Sequence, residues 1–363
     1  MKNFHFYYVL LLILLSTDLF AQNNWEVQIS PRPYEGKAHY GNTVSTSVKK
    51  VIIISQRLQN QFMNDTLSII TYNNKGLITE NISFDKGKPY SKSVYRYDTN
   101  SIYQGITQES FKKSGVNSYS KIGYNKNKIR GTEYNCSIRN NDTIQRTLTK
   151  YTYNNDNQLI AKESYSKNEL VLKDEYTYTN KLLTSRKSFG SPYNVKRYSE
   201  VRLSYSSANL LSDEIDLNIN DSKTDTIATV HYSHTNEKLT EQNLITLGPV
   251  KRILNTKYTY DSNNNLESIF ATKDSDTLNV KYLYNIDRKL VLKKAVINTP
   301  KTFVECPIIA NLYGLDPKKA IEYQEEYNYD KSGNIIETKY KLNEDLVAKT
   351  IFILEYFDKK INK

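Results

Sequence analysis

Tyr151-Thr152-Tyr153-Asn154-Asn155-Asp156-Asn157-Gln158-Leu159 is the stretch whose reading decides the fold. In an extended strand Tyr151 and Tyr153 lie on one face, because successive side chains alternate. The polar run behind them closes a turn, since Asn and Asp bond their own backbone and tolerate left-handed conformations. Leu159 then opens a second strand. The stretch is a hairpin in nine residues.

The same pattern recurs along the chain: an aromatic or aliphatic residue, any residue, then Tyr followed by turn formers. Its anchors are Tyr72, Tyr97, Tyr124, Tyr153, Tyr178, Tyr205, Tyr232, Tyr260, Tyr284, Tyr329 and Tyr356. Successive anchors stand 24 to 29 residues apart, except for one interval of 45. Each is followed by Leu or Ile, as in Leu77, Ile102, Ile129, Leu210 and Ile335. One period near 27 accommodates two strands and two turns, and periods of this length mark repeat architectures.

The long interval, Tyr284 to Tyr329, holds an insertion at about 299–320 with Pro300, Pro307 and Pro317, which argue against a central strand there. Pro317 to Glu326 reads as a short helical turn. Residues 22–66 read as a degenerate leading unit, with Val51 to Ser55 its clearest strand, and residues 67–363 as the repeats proper.

A second signal precedes the anchors: Asp65-Thr66-Leu67, Asp142-Thr143-Ile144, Asp225-Thr226-Ile227 and Asp276-Thr277-Leu278. Structurally it reads as a polar turn leading into a strand. It also resembles the O-glycosylation acceptor pattern of exported Bacteroidota proteins, which would make Thr66, Thr143, Thr226 and Thr277 modification sites.

Composition agrees with a thin β fold. The apolar fraction is 38% with 31 Tyr included; with Tyr left out and the 12 Gly counted it is about 33%, against roughly 45–50% on that count in ordinary globular domains. Tyr packs a large ring while its hydroxyl tolerates water. Net charge is +11, but Lys and Arg are interspersed with Asp and Glu. That reads as a solvated surface and argues against nucleic acid as a partner.

The N-terminus carries Lys2, an apolar run from Phe4 to Leu15, and Ala21-Gln22. This is a signal-peptide pattern over residues 1–21, too short for a membrane span, and its ending resembles Bacteroidota signals. Export to the periplasm, outer surface or exterior is expected. Cys136 and Cys306 could pair in such a compartment or stay as two thiols.

No catalytic constellation emerges. His231 and His234 fall on opposite faces of a strand, His39 has no companion, and no phosphate loop or nucleophile elbow appears. No cofactor and no metal site are expected.

Tyr329-Asp330-Lys331-Ser332-Gly333-Asn334-Ile335 resembles the tyrosine–aspartate repeat of Rhs and teneurin proteins, with Tyr260-Asp261 through Leu266 a second copy. The resemblance implies a β-rich repeat that winds into a shell or supplies carbohydrate-binding surface. These units are longer than the family's and most lack its Gly, so toxin delivery is not carried over. The expectation is an all-β antiparallel meander of about 20 short strands, coiled, solenoid-like or cocoon-like, with a closed β-barrel as the alternative. The expected function is a non-catalytic exported binding or scaffold module whose partner is a glycan, stacked on exposed tyrosines, or another envelope protein. A glycan-active enzyme with its site in the 299–320 insertion, or a structural or immunity partner, are the other readings.

Overall fold

A computed structural model describes residues 48–57, 63–112, 115–140, 142–190, 196–221, 223–247, 251–273, 276–298 and 320–357. These form 22 strands and no helix. In chain order they are β1 (Val48–Arg57), β2 (Met63–Tyr72), β3 (Ile78–Asp85), β4 (Lys88–Tyr97), β5 (Tyr103–Ser110), β6 (Asn117–Tyr124), β7 (Arg130–Arg139) and β8 (Asp142–Tyr153). There follow β9 (Leu159–Ser166), β10 (Glu169–Thr179), β11 (Leu182–Phe189), β12 (Arg197–Tyr205), β13 (Leu211–Asn220), β14 (Lys223–Thr235) and β15 (Lys238–Leu247). The last are β16 (Lys251–Tyr260), β17 (Leu266–Lys273), β18 (Asp276–Tyr284), β19 (Leu290–Ile297), β20 (Ile321–Tyr329), β21 (Ile335–Leu342) and β22 (Asp345–Tyr356).

Every strand pairs antiparallel with the next, and β22 returns to β1 through pairs such as Ile351↔Ile54 and Ile353↔Ile52. The meander therefore closes. The all-β antiparallel meander is as expected, and of its two arrangements the closed barrel, given as the alternative to a coiled or cocoon-like sheet, is the one adopted. Closure removes both sheet edges, which would otherwise template aggregation. Twenty-two strands about 4.8 Å apart make a wall roughly 105 Å across the strands. Among the described residues, close backbone contacts run between neighbouring strands.

The strands are staggered around the ring. Tyr151 pairs with Lys162 and Lys162 with Asp174, two residues short of the equivalent Tyr176. The same two-residue step recurs from Tyr176 through Arg186 to Val201, and from Tyr258 through Ile269 to Val280. Such a stagger is the tilt that lets a sheet close.

The long interval in the repeat resolves at its end. Residues 321–326, where a helical turn was expected, belong to β20, because Tyr323, Glu325 and Tyr327 alternate inward like the rest of the repeat. The insertion itself, 299–319, lies outside the described residues.

Candidate functional site

The anchors sit on the even-numbered strands at one rim, and the reason lies in the residue that follows each. Asn73, Asp98, Asn125, Asn154, Asp261 and Asn285 each accept backbone N–H bonds from the second and fourth residues onward. The loop closes with the N–H of its fourth residue on the carbonyl of its first, as from Gly76 to Asn73 and Gly333 to Asp330. That fourth residue is left-handed throughout: Gly76, Ser101, Lys128, Asn157, Asn209, Asn264, Arg288 and Gly333. Asn fills three of those places because it tolerates the conformation without Gly. One residue beyond each loop a bulge skips Thr79, Ile160 or Ile336, as bulges do at barrel rims.

The hydroxyls of six anchors then tie their loops to the preceding unit. Tyr153 donates to Arg130 O (2.8 Å), Tyr178 to Leu159 O (3.0 Å), Tyr205 to Leu183 O (2.8 Å), Tyr260 to Leu239 O (3.0 Å) and Tyr329 to Leu290 O (2.6 Å). Tyr124 donates in the same way to Tyr103 O. Lys238 and Lys289 lie over the rings of Tyr260 and Tyr329. The Tyr–Asx pair is thus a clasp and a turn cap.

One anchor shifts. In β14 the residue paired across the loop start, with the bulge beside it, is His234 opposite Leu239. Tyr232 occupies the place two residues earlier, held elsewhere by Tyr151, Tyr176 and Tyr258. Val230-His231-Tyr232-Ser233-His234 puts three large residues on one face, so spacing could not choose between the last two. His231 lies on the opposite face and bonds Asp213 (2.9 Å).

Tyr72, Tyr103, Tyr176, Tyr282 and Tyr323 are buried and most other repeat tyrosines are half-buried, while Tyr356 is the single tyrosine among the described residues that is exposed. Thr66, Thr143, Thr226 and Thr277 gather at the rim opposite the clasps, near the starts of β2, β8, β14 and β18, and Thr143 and Thr226 are exposed. The aliphatic residue after three of them, Leu67, Ile144 and Ile227, is the bulged residue of its strand. Cys136 is a buried free thiol; Cys306 lies outside the described residues.

What single-unit reading missed is a row eight or nine residues after each anchor, on the odd strands of the tyrosine face. It holds Glu133, Lys162, Arg186, Glu214, Gln242 and Lys293. Lys293 meets Glu325 at 3.6 Å with both side chains buried, and Tyr323 and Tyr327 donate to that carboxylate. Tyr232 donates to Glu214 (2.9 Å). Burial pushes the Glu214 carboxyl up to about 7, against the lowering effect of that bond and of Arg186. Superposing the units by anchor would have found this row.

A cavity of about 440 Å³ interrupts the regular wall between β5, β6 and β7. Ladder pairing of β5 with β6 covers only Thr107↔Tyr119 and Gln108↔Ser118. Side chains hold the rest of the seam: Arg96 donates to Ser120 O (3.1 Å) and Ser120 Oγ accepts from the Ile106 N–H (3.3 Å). Gly105 allows this, since a Cβ there would stand 2.1 Å from Ser120 O. Glu133 accepts from Arg130 (3.1 Å), Tyr151 (3.1 Å) and Asn135 (3.2 Å) at the cavity wall. The residue paired with each anchor is elsewhere Ile78, Leu159, Leu183, Leu211, Leu239, Leu266, Leu290 or Ile335; here it is Tyr103 and Arg130.

No protein-family profile matches the chain, and no curated sequence resembles it. Among solved structures it is similar to TcdB2-TccC3, at TM-score 0.41 and 11% identity over 82% of this chain and 19% of that one. A porin-like protein from Bacteroides uniformis aligns at TM-score 0.30 and 8% identity, over 86% of this chain and 98% of that one. The Photorhabdus luminescens Tc holotoxin pore aligns at TM-score 0.22 and 10% identity, over 78% and 19%. The chain spans under a fifth of the TcdB2-TccC3 chain.

Proposed function

We propose that the chain is an exported, non-catalytic scaffold of the bacterial envelope or exterior, a closed β-shell that holds a binding partner, with a glycan or another envelope protein as that partner. The observation that supports it best is the self-satisfying wall. Six anchor hydroxyls, those of Tyr124, Tyr153, Tyr178, Tyr205, Tyr260 and Tyr329, are committed to the backbone of the preceding unit, and the Asx side chains cap their own loops, which stiffens the ring formed by the described residues.

The shell is read as water-borne rather than lipid-spanning. A membrane barrel needs a continuous apolar outer band. Here the face opposite the tyrosines exposes Lys121, Lys150, Arg202, Lys257 and Lys281, while the tyrosine face buries Asp174, Glu214, Lys293 and Glu325. Neither face offers lipid a band. The enzyme reading places its site in the 299–320 insertion, and no described residue supports it.

Cell fractionation tests the proposal. The chain is expected in the periplasm, surface or medium without residues 1–21, and a cytosolic product with its leader intact refutes export. Turnover of any polysaccharide by the purified chain overturns the non-catalytic reading. O-glycosylation at Thr66, Thr143, Thr226 and Thr277 is part of the proposal; an intact mass from the native host equal to bare Gln22–Lys363 removes it.

A further inference from the structure

The unit rule identifies its own exceptions. Eight units place Ile or Leu opposite the anchor, where it packs on the tyrosine face. Two consecutive units place Tyr103 and Arg130 there, and both residues line the same cavity. Local departures from an otherwise consistent pattern concentrate at functional sites. Gly105 also lies at this seam, where its missing Cβ lets the Ser120 carbonyl approach the β5 backbone.

The chemistry of the lining indicates the ligand. Arg130 and Glu133 form a charge-balanced pair (3.1 Å), so the cavity carries no net charge to attract an ion. Asn135, Ser118, Ser120 and Ser137 add short donors and acceptors, while Tyr103, Ile106 and Ile122 supply an apolar wall. Glu133 already gathers three donors, which orders its carboxylate and the guanidinium beside it before anything binds. Preorganised polar groups around an apolar wall suit a ring that is apolar on its face and hydroxylated at its edge. The volume lies at the lower part of the range of about 300–1,000 Å³ typical of small-molecule sites.

We infer that the β5–β6–β7 cavity is a binding site for a neutral saccharide of one or two rings. This rests on the scaffold reading and gives its glycan partner a location distinct from the repeat tyrosines. The test is calorimetric titration of the purified chain with glucose, galactose, mannose, N-acetylglucosamine, maltose and cellobiose, with glucuronate and glucosamine as charged controls. At least one neutral sugar is expected to bind at one site per chain, more tightly than either charged control. Glu133→Gln is expected to weaken it at least tenfold. The double variant Tyr103→Leu with Arg130→Leu, which restores the residue type of the other units, is expected to abolish binding while thermal midpoint and β-sheet dichroism are kept. If the double variant unfolds, Asn135→Leu alone is expected to weaken binding at least tenfold in a folded chain. No saturable binding of any neutral sugar, preference for a charged control, or unchanged affinity in the folded variants would overturn the site. Sugar binding that survives the variants would leave the glycan-binding scaffold standing and remove this cavity from it.

Discussion

The two rims of the barrel are built by different rules. At the anchor rim eight loops of five residues share one hydrogen-bond scheme, and the other two described hairpins there use two-residue turns with both residues left-handed, Asn180-Lys181 and Asn236-Glu237. At the opposite rim, connections range from Lys86-Gly87 and Lys167-Asn168 to the interval between Ile297 and Ile321. The clasp is a further difference. It bonds one unit to the next across the anchor rim, and it forms with either loop length, since Tyr178 makes it ahead of the Asn180-Lys181 turn; no equivalent side-chain clasp recurs among the described residues of the other rim.

Variants that act on one rim should separate these rules. Tyr153→Ala removes a half-buried ring and the bond to Arg130 O, and is expected to cost about 3–5 kcal/mol in a denaturant melt; a loss near 1 kcal/mol would mean that the clasp does not hold one unit to the next. Between the rims, Glu214 gives a pH effect. Burial raises its pKa from 4.5 to about 7, so the folded chain holds a proton that the unfolded chain releases over that window. Its contribution to stability is complete below about 4.5 and is lost as pH rises through about 7. Thermal midpoints should fall between pH 4.5 and 7.5, and Glu214→Gln should flatten that slope; an unchanged slope assigns it elsewhere. Tyr178→Phe keeps the ring but loses the 3.0 Å bond to Leu159 O, at about 1 kcal/mol, readable as a lowered midpoint. At the opposite rim, four Gly/Ser residues inserted after Gly190 should cost no more than about 0.6 kcal/mol, the entropy of roughly doubling a loop. An equal insertion within Asn154–Gln158 should cost several times that, and equal costs would erase the distinction between the rims.

How much of this was legible follows from where each signal lives. The hairpin of Tyr151 to Leu159 is local, so anchors, turns and strand order could be read from the chain. The shift from Tyr232 to His234 was not, because both residues share a face and the intervals to Tyr205 and Tyr260 suit either. Closure depends on Ile353 meeting Ile52, a pairing across some 300 residues that has no local mark. The Lys293–Glu325 pair was hidden for a related reason: its members lie in successive units on either side of an insertion, and the β19–β20 register that sets them opposite each other has no local mark. The cavity residues Tyr103 and Arg130 could have been found by asking which units break the aliphatic rule.

The two-residue step around the wall has a consequence for how such a molecule can grow. A barrel's slope depends on the ratio of stagger to strand number, and a unit that adds two strands with a step of two leaves that ratio unchanged. Duplicating or deleting one unit would alter the girth by about 9.6 Å without retilting the remaining staves. Capacity can therefore be adjusted by gene duplication alone, as a cooper widens a cask.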